Sequence, residues 1–342
     1  MSNFDNVFLT YDNKNNPDGV GAQLHRMYGI YCLSRLLGTK YIHSPLYDVY
    51  YQGLDAFQNQ EKDPAFVESF NRRFTLPSDR TTTPDPSYVS LGALPVGRLD
   101  RALRIEYGGR RKHLLPIRFS EFGRLVAKWS KVNTETVVRI GAPHTLLDRY
   151  ARGYEICESL SPFKKDRPSK VLRIAIHVRR GEIMFVNSER LIDMSYYIGV
   201  ARRLTSILAS EKIPFELELH SELLQKDAAV RPGDPAFKGR IDDLLELRPE
   251  QDPFGDFAAF PGLKRFINEP AMTCIERLAT ADILVMSKSS FSYLAAILNV
   301  GGIVLYHPFW NYPLDKWLVT KSSGDFNAGR FLRQVQRLRS VQ

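Results

Sequence analysis

The apolar and polar positions along the chain divide it into two stretches of different character. In the first, Val7-Phe8-Leu9-Thr10 is a short run of buried-strand type. It breaks into a polar loop, Asp12 to Gly21, rich in Asn and punctuated by Pro17, Gly19 and Gly21. Helical spacing follows. Leu24, Met27, Tyr28 and Tyr31 recur at i, i+3, i+4 and i+7, while Ile30, Leu33 and Leu37 fill the adjoining stripe, so this helix is apolar around much of its circumference and is predicted to be internal. Gly38 is its stop signal. Tyr41 to Pro45 then reads as a second strand, completing a strand–helix–strand unit. Residues 52–130 mix aromatics, prolines and charge without a clear period, and Val137 to Ile140 is predicted as a strand.

The segment Ser161 to Lys170 carries two prolines, four basic residues and almost nothing apolar, and it is the best domain boundary in the chain. It predicts an N-terminal α/β domain over 1–165 and a C-terminal domain over 166–342. Beyond it the pattern is regular. Apolar runs at 172–178, 215–219, 283–286 and 303–306 alternate with helical stretches near 195–210, 271–279 and 291–298. That alternation implies a parallel sheet covered on both faces, where ligands gather at the carboxyl ends of the strands.

Size and charge narrow the class. With 342 residues, 44% of them hydrophobic, the chain can bury two cores, and a globular enzyme is the default. Its 47 Lys plus Arg against 38 Asp plus Glu give a formal net charge of +9, which favours acidic partners. Nucleotides, phosphorylated substrates, nucleic acid and peripheral contact with an anionic membrane all fit that balance. A basic cluster at Arg101, Arg104, Arg110, Arg111, Lys112 and Arg118 suits a solvated face or an acceptor-binding surface. Cys32, Cys157 and Cys274 are scattered and lack metal spacing, so they read as small hydrophobes, with neither disulfide nor zinc expected. Met1 to Asn6 has no basic n-region leading into an apolar one, and no window approaches the ~18 apolar residues of a spanning helix, so the expectation is a soluble, cytoplasmic protein.

The chemistry concentrates in three places. Ile174-Ala-Ile-His177-Val-Arg179-Arg180-Gly-Glu182 runs an apolar strand into a histidine and two arginines, whose planar, permanently charged forks suit a diphosphate. A surface ion pair with Glu182 or Glu189 is the plainer account of the same residues. Asp282 to Ala296 passes from a strand through Ser287-Lys288-Ser289-Ser290 into a helix. Ser289 or Ser290 at the helix start would face an anion with hydroxyls and unpaired N–H groups, or merely cap the helix. The loop Asp18-Gly19-Val20-Gly21-Ala22-Gln23 opens the first helix, and its glycines allow close backbone approach to a ligand. It lacks the third spaced glycine of a dinucleotide fingerprint and the Gly-Lys-Ser/Thr of an NTPase phosphate loop.

In order along the chain, Gly19 to Gln23, then His177-Val-Arg179-Arg180-Gly-Glu182 with Met194-Ser-Tyr196-Tyr197, then Ser289-Ser290-Phe291-Ser292-Tyr293 with His307-Pro-Phe-Trp310, resemble the motifs of GDP-fucose-dependent fucosyltransferases. The likeness is to the α1,2, α1,6 and protein O-fucosyl superfamily, the last two blocks being closest to α1,2-type enzymes. It implies a GT-B glycosyltransferase, two Rossmann-like domains facing a cleft, with an N-terminal acceptor side and a C-terminal donor side. It further implies inverting transfer of L-fucose from GDP-fucose to a glycan hydroxyl without a metal or other cofactor. Arg179 takes the leaving β-phosphate, His177 and Arg180 lie at the nucleotide, Ser289, Ser290 and Phe291 form the diphosphate cradle, and Gly19 and Gly21 approach the sugar diphosphate. No Asp-x-Asp of the metal-dependent type stands at a strand end.

Two departures bear on the sugar. Glu182 replaces the usual Asp, and Ala22-Gln23 stands where relatives often have Asn-Gln. Glu222, after the strand ending in Leu219-His220-Ser221, would accept from guanine N1 and N2, although a solvated strand end fits the same residues. Asp18, Glu182, Glu189 and Asp193 are the candidates for a base, with Asp18 and Glu182 assigned to the catalytic set. Tyr196 and Tyr197 are placed in the core. The alternatives are the same scaffold with another nucleotide sugar, or a basic non-catalytic protein binding glycan or nucleic acid. No recognised nucleic-acid module supports the last, and neither a GxSxG elbow nor HExxH is present for hydrolysis.

Overall fold

The computed structural model describes residues 4–13, 18–47, 49, 64–80, 124, 126–127, 130–131, 136–140, 159–164, 170–180, 191–223, 253–309, 311 and 313–340. The chain separates into two compact units, the first within Met1–Tyr50 and Pro64–Leu160, the second including Ser161–Gln342. Both are α/β with parallel sheets. Among the described residues no helix is long and apolar enough to cross a membrane.

The first unit holds strands β1 (Phe4–Tyr11), β2 (Thr39–Ile42) and β3 (Thr136–Ile140) in the order β2-β1-β3. Helix α1 (Val20–Leu37) connects β1 to β2, and α2 is Pro64–Arg73. Most of the 18 residues of α1 are buried, Leu24, Met27, Tyr28, Ile30 and Leu33 among them, as expected for a helix whose apolar positions run around its circumference. Gly38 ends α1 at φ 70°, a left-handed position that glycine adopts without steric cost, and its N–H bonds Ser34 O.

The second unit is built on β4 (Leu172–Val178), β5 (Phe215–Ser221), β6 (Lys264–Ile267), β7 (Ile283–Val285), β8 (Ile303–Tyr306) and β9 (Leu318–Val319), in the order β6-β5-β4-β7-β8-β9. Helices α3 (Met194–Ser210), α4 (Ala271–Ala279), α5 (Ser290–Ile297) and α6 (Ala328–Ser340), with a short 3-10 helix at Gly255–Ala259, complete it. Ile174, Ile176, Leu219, Ile283, Val285 and Leu305 are almost wholly excluded from solvent and pack with Tyr197, Leu204 and Phe331 in one core. Buried on both faces, these strands read as continuous apolar runs instead of alternating ones. Tyr196 and Tyr197 are core residues.

Strand order decides where a ligand can sit. From β4 the chain adds β5 and then β6 on one side, returns to place β7 on the other side of β4, and continues to β8 and β9. The order therefore reverses between β4 and β7. Such a reversal is the position where open α/β sheets bind their ligands. Elements that escape sequence reading include β6, which is exposed along much of its length, the two-residue β9, and α6, where Phe331 and Val335 are the buried positions among arginines.

Candidate functional site at the strand-order reversal

Both anion-directed motifs of the second unit emerge at this reversal. His177 is the penultimate residue of β4, with Arg179 and Arg180 just past its end, and Ser287 to Ser290 leave β7 and start α5. The pairs Ile174–Ile283, Ala175–Leu284 and Ile176–Val285 bring the two strand ends level with one another. They touch directly: Ser287 Oγ and His177 Nδ1 share a buried hydrogen bond of 3.1 Å, and the His177 ring lies 5.8 Å from that of Phe291.

Helix α5 begins as Ser chemistry requires. Ser289 is extended at φ −144°, and its Oγ accepts from Phe291 N at 3.2 Å while its own carbonyl accepts from Tyr293 N. The hydroxyl proton remains for another acceptor. Ser290, partly exposed, is the first residue of the helix, at the positive end of its dipole. Ser289 itself is 7% exposed.

Charge in this site comes from arginine and not from histidine. Burial, then the nearby Arg179 guanidinium and His220, push the His177 pKa down to about 3, so the imidazole is neutral at physiological pH. The two arginines differ. Arg179 is partly exposed and close enough to His177 to repel its protonated form. Arg180 is 7% exposed, and its guanidinium donates to Arg179 O at 2.8 Å and Ile192 O at 3.2 Å. It braces the main chain at the end of β4 against the approach to α3, a use of Arg that sequence reading of the pair did not foresee. Ser287 is the reverse case, a residue inside the quoted segment without an assigned role whose contact with His177 depends on strand adjacency.

The remaining sequence-derived residues stand on other elements or outside the described residues. Glu222 follows β5 at the carboxyl edge of the sheet and is partly buried. Glu182 and Glu189, like the Arg101 to Arg118 cluster and Trp310, lie outside the described residues. Asp193 caps α3, accepting from Ser195 N at 2.8 Å, a structural use of that carboxylate. In the first unit Gly19 precedes α1 in extended geometry and Gly21 is buried within its first turn. Asp18 is held on both oxygens: Oδ1 accepts from Gly19 N at 2.8 Å and Oδ2 from Arg26 at 2.6 Å. Arg26 also reaches Tyr11 OH at 3.4 Å, so the Asp18 carboxylate organises its own loop.

No protein-family model matches the chain, and no curated protein matches it. Among solved structures the chain is similar to NodZ α-1,6-fucosyltransferase from Bradyrhizobium co-crystallized with GDP, at 13% identity and a TM-score of 0.35, over 94% of this chain and 97% of that one. It is also similar to E. coli heptosyltransferase WaaC with ADP (12%, TM-score 0.39, 97% and 99%) and to the apo form of POFUT1 (9%, TM-score 0.33, 87% and 95%). At that level of likeness, the reading of function rests on this chain's own residues.

Proposed function

We propose that the chain is a two-domain GT-B glycosyltransferase of fucosyltransferase type, moving L-fucose from GDP-fucose to a glycan hydroxyl with inversion and without a metal at the leaving group. The observation that carries this reading is the meeting of the arginine motif and the serine helix start at the strand-order reversal, joined by the Ser287–His177 hydrogen bond. Two anion-directed motifs from distant parts of the sequence thus leave neighbouring strand ends, at the kind of reversal where open α/β sheets bind nucleotides.

In the proposed reaction the bond from the anomeric carbon to the β-phosphate oxygen breaks and its electron pair stays on GDP. An acceptor hydroxyl oxygen bonds the anomeric carbon from the opposite face, and its proton passes to a base, for which Glu182 and Asp18 are the proposed candidates. Arg179, Ser289, Ser290 and the start of α5 stabilise the charge that grows on the phosphate, electrostatic work that a preorganised site performs without reorganising at the moment of reaction. The second unit takes the donor role, with Glu222 reading the guanine edge, and the first unit the acceptor role, with Gly19 and Gly21 approaching the sugar. A neutral His177 suits this scheme. It orients and hydrogen-bonds the nucleotide without adding a cation that would hold the product GDP.

The test is GDP release from a panel of nucleotide sugars, with and without simple galactosides and glucosaminides, for the wild type and Arg179→Ala. Turnover is expected with GDP-fucose and is expected to fall at least about 100-fold in the variant, with its unfolding midpoint unchanged. Thermal stabilisation by UDP or ADP but not GDP would assign the same site to another nucleotide sugar. Full activity of Arg179→Ala would remove the leaving-group role.

A further inference from the structure

A second cluster lies at the carboxyl ends of β5 and β6, one strand over from His177, and its chemistry is of a different kind. His220, the penultimate residue of β5 and two residues beyond Glu218 on that strand, is 0% exposed. Its Nε2 donates to Glu218 Oε2 at 3.1 Å, and its ring is stacked on Phe266 at 5.0 Å with 12° between the planes. Orientation and tautomer are thereby set, and the second ring nitrogen, Nδ1, points at Glu269 Oε2 across 3.6 Å. Neither Nδ1 nor that Oε2 has a hydrogen-bond partner, although both are buried. In a dry site the facing Nδ1 and Oε2 call for a positive charge between them.

The third member is Cys274, in the first turn of α4. The His220 nitrogen, the Glu269 oxygen and the Cys274 sulfur all lie within 4.8 Å of one another. The other Glu269 oxygen, Oε1, is held by Arg277 Nε at 2.8 Å, and the Arg277 guanidinium covers the outer face of Phe266 at 4.2 Å. Each ligand is therefore oriented by a neighbour: the imidazole by Glu218 and Phe266, the carboxylate by Arg277, the thiol by its helix. A histidine whose far nitrogen is bonded to a carboxylate is the usual outer support of a metal-bound imidazole.

We propose that His220 Nδ1, Glu269 Oε2 and Cys274 Sγ form a binding site for a borderline-soft divalent cation of the zinc class, with one further position open. Nitrogen, thiolate and carboxylate donors together select such an ion over magnesium or calcium, which take oxygen ligands. The 3.6 Å between the first two donors is close to the edge of a tetrahedron drawn about zinc at ordinary bond lengths. On binding, the Cys274 S–H proton is released to solvent as the sulfur–metal bond forms, and His220 and Glu269 bind through lone pairs. The Glu269 and Glu222 carboxylates lie near Cys274 and attract a cation. The ion would tie the end of β5 to the start of α4 and takes no part in the leaving-group chemistry proposed above. Spacing along the chain hides the site, since positions 220, 269 and 274 form no recognisable metal motif.

The experiment titrates the full chain with Zn²⁺ and with Co²⁺ alone, reading stoichiometry by equilibrium dialysis and, for Co²⁺, the visible spectrum. One equivalent is expected, with a thiolate-to-cobalt charge-transfer band and tetrahedral d–d bands. Cys274→Ala should abolish the charge-transfer band and weaken Zn²⁺ binding at least about tenfold, Glu218→Gln should weaken it about 10- to 100-fold, and a Cys32→Ser/Cys157→Ser protein should keep both signals. Without any variant, one equivalent of Zn²⁺ should protect Cys274 from alkylation as read by mass spectrometry. Absence of stoichiometric binding, as for an imidazolium clamped between Glu218 and Glu269, would overturn the proposal. So would binding that survives unchanged in Cys274→Ala, or alkylation of Cys274 unaffected by Zn²⁺. None of these readouts depends on glycosyl transfer, so they stand or fall apart from that assignment.

Discussion

Replacing His177 by Asn tests the electrostatics of the donor site through stability alone. In the folded chain the His177 pKa is about 3, with burial as the main cause, against an ordinary value near 6.5 in the unfolded chain. A folded pKa below the unfolded one means that the unfolded state takes up the proton first as pH falls. Stability from this residue is therefore complete above about pH 6.5 and is lost progressively down to about pH 3. At about 1.4 kcal/mol per pH unit below the unfolded pKa, lowering the pH from 6.5 to 4.5 should cost the wild type about 2.3 kcal/mol that His177→Asn does not lose. Asn also retains a polar group toward Ser287, and any cavity it leaves lowers stability equally at both pH values. Urea unfolding at the two pH values, read by tryptophan emission in a Trp129→Phe background, reports the second unit. His43 and His307, whose pKa values burial also lowers, titrate in both proteins and cancel in the difference. Equal pH slopes for wild type and His177→Asn would refute the neutral, buried imidazole, and with it the division of charge between His177 and Arg179.

Other substitutions probe separate parts of the second unit. Ser289→Ala removes the α5 cap and should cost about 1 kcal/mol, whereas Ser289→Gly should cost only a few tenths. Both lose the hydroxyl, so GDP affinity measured by calorimetry should fall in each; unchanged affinity in both would take Ser289 out of the site. Gly324 has φ +86°, and a Cβ there would meet Val200 N at 2.5 Å and the Gly199 backbone at 2.8 Å. Gly324→Ala should therefore lose about 3 kcal/mol in urea unfolding, while Gly329→Ala, whose nearest neighbours are at 3.7 Å, should gain about 0.5 kcal/mol. Equal stability of the two variants would contradict the close approach of α3 and the turn at Gly324.

The parts of the fold visible in sequence are those where burial is two-sided. Leu172 to Val178, Ile283 to Val285 and Ile303 to Tyr306 read as strands because both faces of the central sheet are covered, which leaves almost no polar position to disguise them. β6 hides because Lys264 and Arg265 face water, and α6 because Arg330, Arg333, Arg337 and Arg339 outnumber its buried positions. At the candidate site, the residue types that suit a diphosphate are legible one motif at a time. Their meeting depends on β7 pairing with β4, a long-range fact that no local window contains. Arg180 shows the same limit at a smaller scale. Composition cannot tell a guanidinium aimed at a ligand from one folded back onto Ile192 O.

The margins of the six-stranded sheet bear on how the protein behaves in a crowded solution. One border strand offers two residues, and the other presents Lys264, ion-paired to Glu216 at 2.7 Å, and Arg265, reaching Phe254 O at 3.1 Å. Abbreviated or cationic borders make poor templates for an incoming extended chain. Among the described residues this sheet is thus fenced on both flanks, and concentrated solutions of the protein should resist fibril growth.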